Sequence, residues 1–389
     1  MGNYTKMSYD FDTIVDRRIT GSIKYANVPE GQLPFTIADS DFLVAPAIQK
    51  ALVDRTSYRL YGYARPPREF NESFLQWFAR TYNQSLREEW LVPLPGIVPA
   101  LAVAAKVRDG KCITNVPNYG MLLSGPKRAG KELIAVPMKY TVSDDNIEYY
   151  EFDFARLEAA VTEDTDIFYL CNPHNPVGRV YTREELQQVS DFARRHNLVV
   201  VSDEIHCEIL FDRAHIPFHT VDDYAREHSI TFTAPGKTYS IPGIGGAFAI
   251  IPNAELRERF QAEGYALGRP NAFGVAAMIA AYRDCDDWKQ ELVAYLRENR
   301  DYLENEVRRR FPKARQTHTQ GTYLGWIDFG AYTGSGPQEK WIAKQAQVLF
   351  HGAEFFYGEQ HIRWNFAAPR ALLTEALDRL QEAFDRAEK

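Results

Sequence analysis

The sequence predicts an α/β protein built on a doubly wound, mostly parallel sheet with a second, smaller α/β domain. Three observations carry the main sheet. Between residues 166 and 237, short β-prone apolar runs alternate with helical patterns. The runs are apolar throughout, as strands covered on both faces require. Each run is followed by a loop holding a polar side chain that can do chemistry, and ligands of open α/β sheets bind beyond the carboxyl ends of the strands.

Taken in order, Ile167-Phe168-Tyr169-Leu170-Cys171 is the first strand, ended by Asn172-Pro173. Thr182 and Glu185 then form a capping box for a helix with Leu186, Val189, Phe192 and Ala193 on one face. Leu198-Val199-Val200-Val201 is the second strand, a shorter helical segment falls near residues 221–228, and Ile230-Thr231-Phe232-Thr233 is the third. Upstream, Gly96-Ile97-Val98 opens a helix running through Ala100, Leu101, Ala104 and Ala105. The last helix puts Leu373, Leu377, Leu380 and Phe384 on one face. Gly125-Pro126-Lys127-Arg128 reads as an exposed turn and Arg308-Arg309-Arg310 as a solvated helix face.

The chain has 389 residues, 45% hydrophobic and 25% charged, which is a globular and not a disordered or fibrous composition. Lys and Arg number 45 against 52 Asp and Glu, a net charge of −7, so neither nucleic acid nor an anionic membrane surface is expected as a partner. No apolar run approaches the roughly 18 residues of a membrane span. The four cysteines lie far apart, form no CxxC pair, and are expected as buried thiols in a reducing compartment. Residues 1–12 lack the apolar core of a leader, and Lys6 stands where myristoylation needs Ser or Thr. A cytoplasmic protein is expected, and the Asn-x-Ser/Thr matches at Asn3, Asn71 and Asn83 carry no meaning there.

The polar residues after the three strands are Asn175, Asp203 and Lys237. A lysine can form a Schiff base with an aldehyde cofactor, an aspartate can keep a pyridinium nitrogen protonated, and an asparagine can donate to a phenolate oxygen. These are the requirements of pyridoxal 5′-phosphate (PLP). His206, Cys207 and Glu208 lack a second ligand cluster at suitable spacing, so no metal centre is expected.

Motifs spread over nearly the whole chain sharpen this. They are Leu33-Pro34-Phe35-Thr36-Ile37-Ala38-Asp39-Ser40-Asp41-Phe42, Tyr61-Gly62-Tyr63, Pro95-Gly96-Ile97-Val98-Pro99-Ala100-Leu101 and Cys171-Asn172-Pro173-His174-Asn175-Pro176-Val177-Gly178. They continue in Ser202-Asp203-Glu204-Ile205-His206, Gly236-Lys237-Thr238, Gly321-Thr322-Tyr323-Leu324-Gly325-Trp326 and Arg363-Trp364-Asn365-Phe366-Ala367. In this order the set resembles a fold-type I PLP enzyme of the aminotransferase class I/II superfamily. More narrowly it is similar to the MalY/PatB group of cystathionine β-lyase-like C–S lyases.

The resemblance implies a large PLP domain at residues 45–285, and a small domain from residues 1–44 and 286–389. It implies that Lys237 holds the cofactor and acts as the base on Cα, that Asp203 pairs with the ring nitrogen, and that Asn175 bonds the cofactor's O3′. By the same resemblance His206 lies near O3′ or the ring edge, and Tyr119 stacks on the ring and takes part in the reaction. Gly96, Ile97 and Val98 receive the phosphate on a helix N-terminus. Arg363 clamps the α-carboxylate of an amino-acid substrate and Ala38 lies against it. Tyr63 reaches the phosphate of a neighbouring subunit, which makes the protein a homodimer with shared sites.

The implied reaction is α,β-elimination on L-cystathionine or another cysteine S-conjugate, giving a thiol, pyruvate and ammonia. An aminotransferase and a PLP-binding regulatory protein without turnover are the alternatives. Two departures stand out. Ala234 and Gly236 occupy positions where relatives often carry a serine, leaving Thr233 or Thr238 as substitutes for a hydroxyl near the phosphate. Trp364 is bulkier than the usual aliphatic residue, which bears on substrate size.

Overall fold

The computed structural model describes residues 8–388, so the readings made on Asn3 and Lys6 lie outside the described residues. Seven strands form the large sheet, side by side in the order Leu91–Leu94, Ala247–Ile250, Ser229–Thr233, Val199–Asp203, Thr165–Cys171, Lys111–Val116 and Leu133–Pro137. Ala247–Ile250 is antiparallel to both its neighbours, and the other pairings are parallel. The three strands read from the sequence sit together in the middle, and each is buried along nearly its whole length. Their register is what builds a site. Cys171 is level with Asp203, and Asp203 with Phe232, so the loops carrying Asn175 and Lys237 leave the sheet beside Asp203.

The connecting helices form for the local reasons expected. Thr182 Oγ1 accepts from the Glu185 N–H at 3.2 Å, while Glu185 Oε2 accepts from the Thr182 N–H at 2.8 Å, closing the capping box of the helix Arg183–Arg195. That helix buries Leu186, Val189, Phe192 and Ala193 on the sheet. Asp222 caps the short helix Asp223–Glu227 through the Ala225 N–H at 2.7 Å. The C-terminal helix Arg370–Ala387 buries its leucine stripe, as its period demands.

Two surface readings need correction. Residues 125–128 are not a turn but the last turn of the helix Gly120–Arg128, with Gly125 and Pro126 buried. The reason is packing. A Cβ at Gly125 would lie 3.1 Å from Leu101, so glycine marks a close helix–helix approach to Ile97–Ala104, not a bend. In the helix Asp286–Arg310, Arg308 and Arg309 are exposed, but Arg310 is partly covered and paired with Glu306 and Asp378.

A second, six-stranded sheet runs in the order His351–Gly352, Ile362–Asn365, Leu324–Asp328, Arg315–Thr317, Ile147–Glu151 and Lys139–Val142. It draws the hairpin of residues 139–151 out of the middle of the chain. Glu148 anchors that hairpin, accepting from Tyr140 Oη at 2.6 Å and His361 Nε2 at 2.7 Å. A large apolar cluster joins this sheet's Leu324, Ile327 and Trp364 to the long helices of the C-terminal part and to Phe35 and Phe42 of the N-terminal segment. No helix of the described residues is long and apolar enough to cross a membrane.

Candidate active site

A cavity of about 220 Å³ opens at the carboxyl end of the large sheet. Its lining includes Gly96, Ile97, Val98, Tyr119, Asn175, Asp203, His206 and Lys237, with Ala38 from the N-terminal segment. Sequence reasoning had placed these in one site, and the structure brings them together. Arg363 arrives from the second sheet on the strand Ile362–Asn365; its Nη1 donates to Asn175 Oδ1 at 3.3 Å and its Nη2 to the Thr36 carbonyl at 2.6 Å. Tyr63 is the exception. It is fully exposed between the helices Pro46–Ser57 and Arg68–Tyr82 and does not line the cavity.

Several polar groups here are buried without the partners that normally accompany burial. Asp203 accepts one bond, from the Ile205 N–H at 3.3 Å, and among the described residues no cation pairs with it. Arg363 is 2% exposed, lies over the Phe356 ring at 4.9 Å, leaves Nε unpartnered, and pairs with no carboxylate among the described residues. His206 packs edge-on to Tyr323, with ring centroids 5.6 Å apart, and its Nδ1 has no partner. The helix Ile97–Ala104 begins at Gly96 without a side-chain cap, and a Cβ built on Gly96 would meet nothing within 4 Å. An uncapped helix start facing open space presents free N–H groups and the positive end of a helix dipole.

The electrostatics follow from burial. Lys237 Nζ donates to the Ala38 carbonyl at 2.5 Å. Burial pushes its ammonium down to about 8, the Arg363 charge adds to this, and Asp39 and Asp203 oppose it. Burial pushes the Asp203 carboxyl up to about 6, against the Ile205 hydrogen bond and the Lys237 charge. Tyr119 rises to about 12 and Arg363 falls to about 10, both chiefly by burial. A depressed amine beside a raised carboxyl in one cavity, with no ion pair between them among the described residues, is the pattern expected of a functional site.

Some sequence expectations change here. Trp364 alternates away from Arg363 along its strand and packs on Phe35 and Phe350, with centroids 5.6 and 4.7 Å away. It is a core residue opposite Gly325 and does not bound the cavity, so its bulk says nothing about substrate size. Thr233 shares a 3.5 Å contact with Cys207 Sγ, and the Thr238 hydroxyl is buried without a partner; neither lines the cavity, whereas Ala234 and Gly236 do. Sequence reasoning gave no role to Tyr323 or Asn365. Tyr323 Oη donates to the Ala38 carbonyl at 3.2 Å, and Asn365 Nδ2 to the Ile37 and Asp39 carbonyls at 2.6 and 2.9 Å. Both lie in motifs already noticed, and for Asn365 its place two residues after Arg363 is the available signal.

A doubly wound sheet with a lysine, a carboxylate and an amide on three adjacent strand ends has the architecture of the fold-type I PLP enzymes. The sequence model for aminotransferase class I and II matches residues 30–380, and the chain belongs to that family. Among curated relatives it is similar to the cystathionine beta-lyase PatB of Bacillus subtilis, 30% identical over 96% of this chain and 99% of the relative. Among solved structures it is similar to cystalysin of Treponema denticola, which contains a pyridoxal 5′-phosphate cofactor, with a TM-score of 0.90, 28% identity, and coverage of 98% and 100% of the two chains. A PLP-bound C–S lyase of Staphylococcus hominis superposes with a TM-score of 0.89, 29% identity, and coverage of 97% and 98%.

The isolated Asp203 carboxylate makes a testable contribution to stability. Its pKa rises on folding from an ordinary 3.8 to about 6, so ionisation opposes folding, and the penalty grows between those pH values and is complete above them. Asp203→Asn should therefore stabilise the cofactor-free protein by about 2–3 kcal/mol at pH 7, with the advantage fading toward pH 4. Thermal unfolding across that range checks this, and a variant melting at or below the wild type at pH 7 contradicts it.

Proposed function

We propose that this protein is a PLP-dependent carbon–sulfur β-lyase that converts L-cystathionine or another cysteine S-conjugate to a thiol, pyruvate and ammonia. One observation carries the reading: in and beside the cavity the protein leaves buried charges without the partners it would need to supply. The Asp203 carboxylate fits a pyridinium nitrogen, the uncapped start of the helix Ile97–Ala104 fits a phosphate, and the Arg363 guanidinium fits a substrate carboxylate. The names of the similar proteins, a cystathionine beta-lyase and a C–S lyase, support the substrate class.

In this reading Lys237 binds the cofactor's aldehyde carbon, Asn175 its phenolic oxygen, and Tyr119 the face of its ring, with His206 at the ring edge. Gly96, Ile97 and Val98 offer backbone N–H groups to the phosphate. Bound PLP supplies an electron sink for the bond electrons released at the substrate's Cα, so that a thiolate can leave from Cβ. Asp203 keeps the proton on the ring nitrogen that makes the sink effective. Lys237 Nζ, freed when the substrate's amino group takes its place on the aldehyde carbon and deprotonated more readily than an ordinary lysine, would take the proton from Cα. Arg363 holds the substrate carboxylate by a two-pronged bond, and Ala38, through its carbonyl, orients Nζ toward the reacting carbon. Tyr119 shields the ring from water.

A homodimer with shared sites belongs to the same reading, as does a cytoplasmic location. Tyr58, Leu60, Tyr61 and Tyr63 are all exposed on one stretch, an apolar surface suited to a second copy that brings Tyr63 to its neighbour's phosphate. All four cysteines are free and buried, which suits a reducing compartment.

The pure protein with L-cystathionine should release pyruvate with no 2-oxo acid present, and Arg363→Ala should lower kcat/KM by roughly 2–5 kcal/mol of transition-state binding. Amino-group transfer to a 2-oxo acid without pyruvate would replace the lyase by a transaminase. Sedimentation should give a dimer, and an active monomer would remove Tyr63 from the site.

A further inference from the structure

Residues 36–41 run past the cavity, which Ala38 lines, without regular secondary structure, yet every carbonyl from Thr36 to Ser40 accepts a side-chain hydrogen bond. Thr36 takes Arg363, Ile37 takes Asn365, and Ala38 takes Lys237 and Tyr323. Asp39 takes Asn365 at 2.9 Å and Lys24 at 3.3 Å, and Ser40 takes Arg17 Nη1 at 2.8 Å. The strap is thus hung from side chains on both sides, and the Ala38 carbonyl that receives Lys237 cannot shift unless its neighbours do.

The outer side of the strap is a charge cluster that the proposed reaction does not use. Lys24 Nζ lies 2.6 Å from Asp41 Oδ2, with the Lys24 side chain fully buried. Arg17 reaches Asp41 Oδ1 at 2.8 Å and Asp39 Oδ2 at 2.5 Å. Two cations and two anions balance there. Buried ion pairs are a poor source of stability compared with apolar packing, so their use in this place points to directional control. A separate link ties the strap to the loop carrying the lysine: Ser40 Oγ donates to Ser240 Oγ at 2.7 Å, three residues past Lys237, where Ser240 has a φ of 58°.

We infer that Lys24 and Arg17 are positioning residues, which act through Asp41 and Asp39 to fix the strap so that the Ala38 carbonyl orients the Lys237 amine and closes the cavity over it. The inference rests on Lys237 being the reactive amine. The charged and titratable groups facing that amine are Asp203, Asp39, Arg363 and His206; of these only Asp39 touches Lys24, through its carbonyl, and its carboxylate keeps Arg17 when Lys24 is replaced.

The test uses the full-length protein freed of cofactor with hydroxylamine, labelled with trace acetic anhydride from pH 6 to 11 and read by peptide mass spectrometry. In Lys24→Met the loosened strap admits water, so the labelling midpoint of Lys237 should rise by about one pH unit. Lys289, paired elsewhere with Glu208 and Asp286, should keep its own midpoint. Amide exchange over residues 36–41 should quicken at least about ten-fold. The double variant Lys24→Met/Asp41→Asn leaves no carboxylate stranded and should show the same changes; if the single variant does not fold, the double variant decides. A wild-type midpoint and wild-type exchange in either folded variant overturn the inference. Labelling does not depend on turnover, so a failed pyruvate assay leaves this result readable.

Discussion

A carboxylate buried at the end of the central strand without a counter-ion is the constraint on which the rest of the site depends. Asp203 is 2% exposed and accepts one backbone hydrogen bond; burial pushes its carboxyl up, and the nearby Lys237 charge opposes this without forming an ion pair. Such a group persists when function requires it. Around it the protein arranges compensating positive features that stop short of an ion pair: the Lys237 amine, the Arg363 guanidinium, and the uncapped start of the helix Ile97–Ala104. Lys237 and the helix start line the cavity, and Arg363 lies beside it, bonded to Asn175. Filling the cavity with a zwitterionic, phosphate-bearing ring and an amino-acid carboxylate would complete all of them together.

The parallel sheet makes this arrangement possible. Cys171, Asp203 and Phe232 are level across three adjacent strands, so loops of a few residues deliver Asn175 and Lys237 beside Asp203. Gly178 closes the first of these loops with a φ of +73°, and a Cβ there would lie 3.0 Å from Thr319. Only glycine meets both demands at that turn. The second sheet contributes Arg363 and Asn365 from one strand. The two sheets therefore meet at the site through side chains, with the strap of residues 36–41 strung between them.

Much of this was legible in the amino-acid order. The central strands announce themselves as unbroken apolar runs, the Thr182–Glu185 capping box is a local signal, and Asn175, Asp203 and Lys237 are marked by their place after strands. What could not be read depends on long-range packing. The strand Lys139–Val142 is exposed at every position and has no burial period to betray it; it joins the second sheet through its hairpin partner Ile147–Glu151, which pairs with Arg315–Thr317 far along the chain. Gly125 looks like a turn residue until Leu101 is set against it. Lys24 and Arg17 sit in a polar stretch with no pattern, where burial of a lysine is the least expected outcome. Trp364 misleads in the opposite sense, since adjacency to Arg363 along a strand places it on the other face.

The chemistry proposed for this cavity depends on Lys237, and borohydride tests its role directly. The purified, PLP-loaded protein is reduced, digested and mapped. Cofactor fixed covalently to the one peptide containing Lys237, with loss of the yellow colour, is the predicted result. Cofactor fixed to another lysine, or pyruvate formed by protein in which Lys237 has been replaced by alanine, would contradict it.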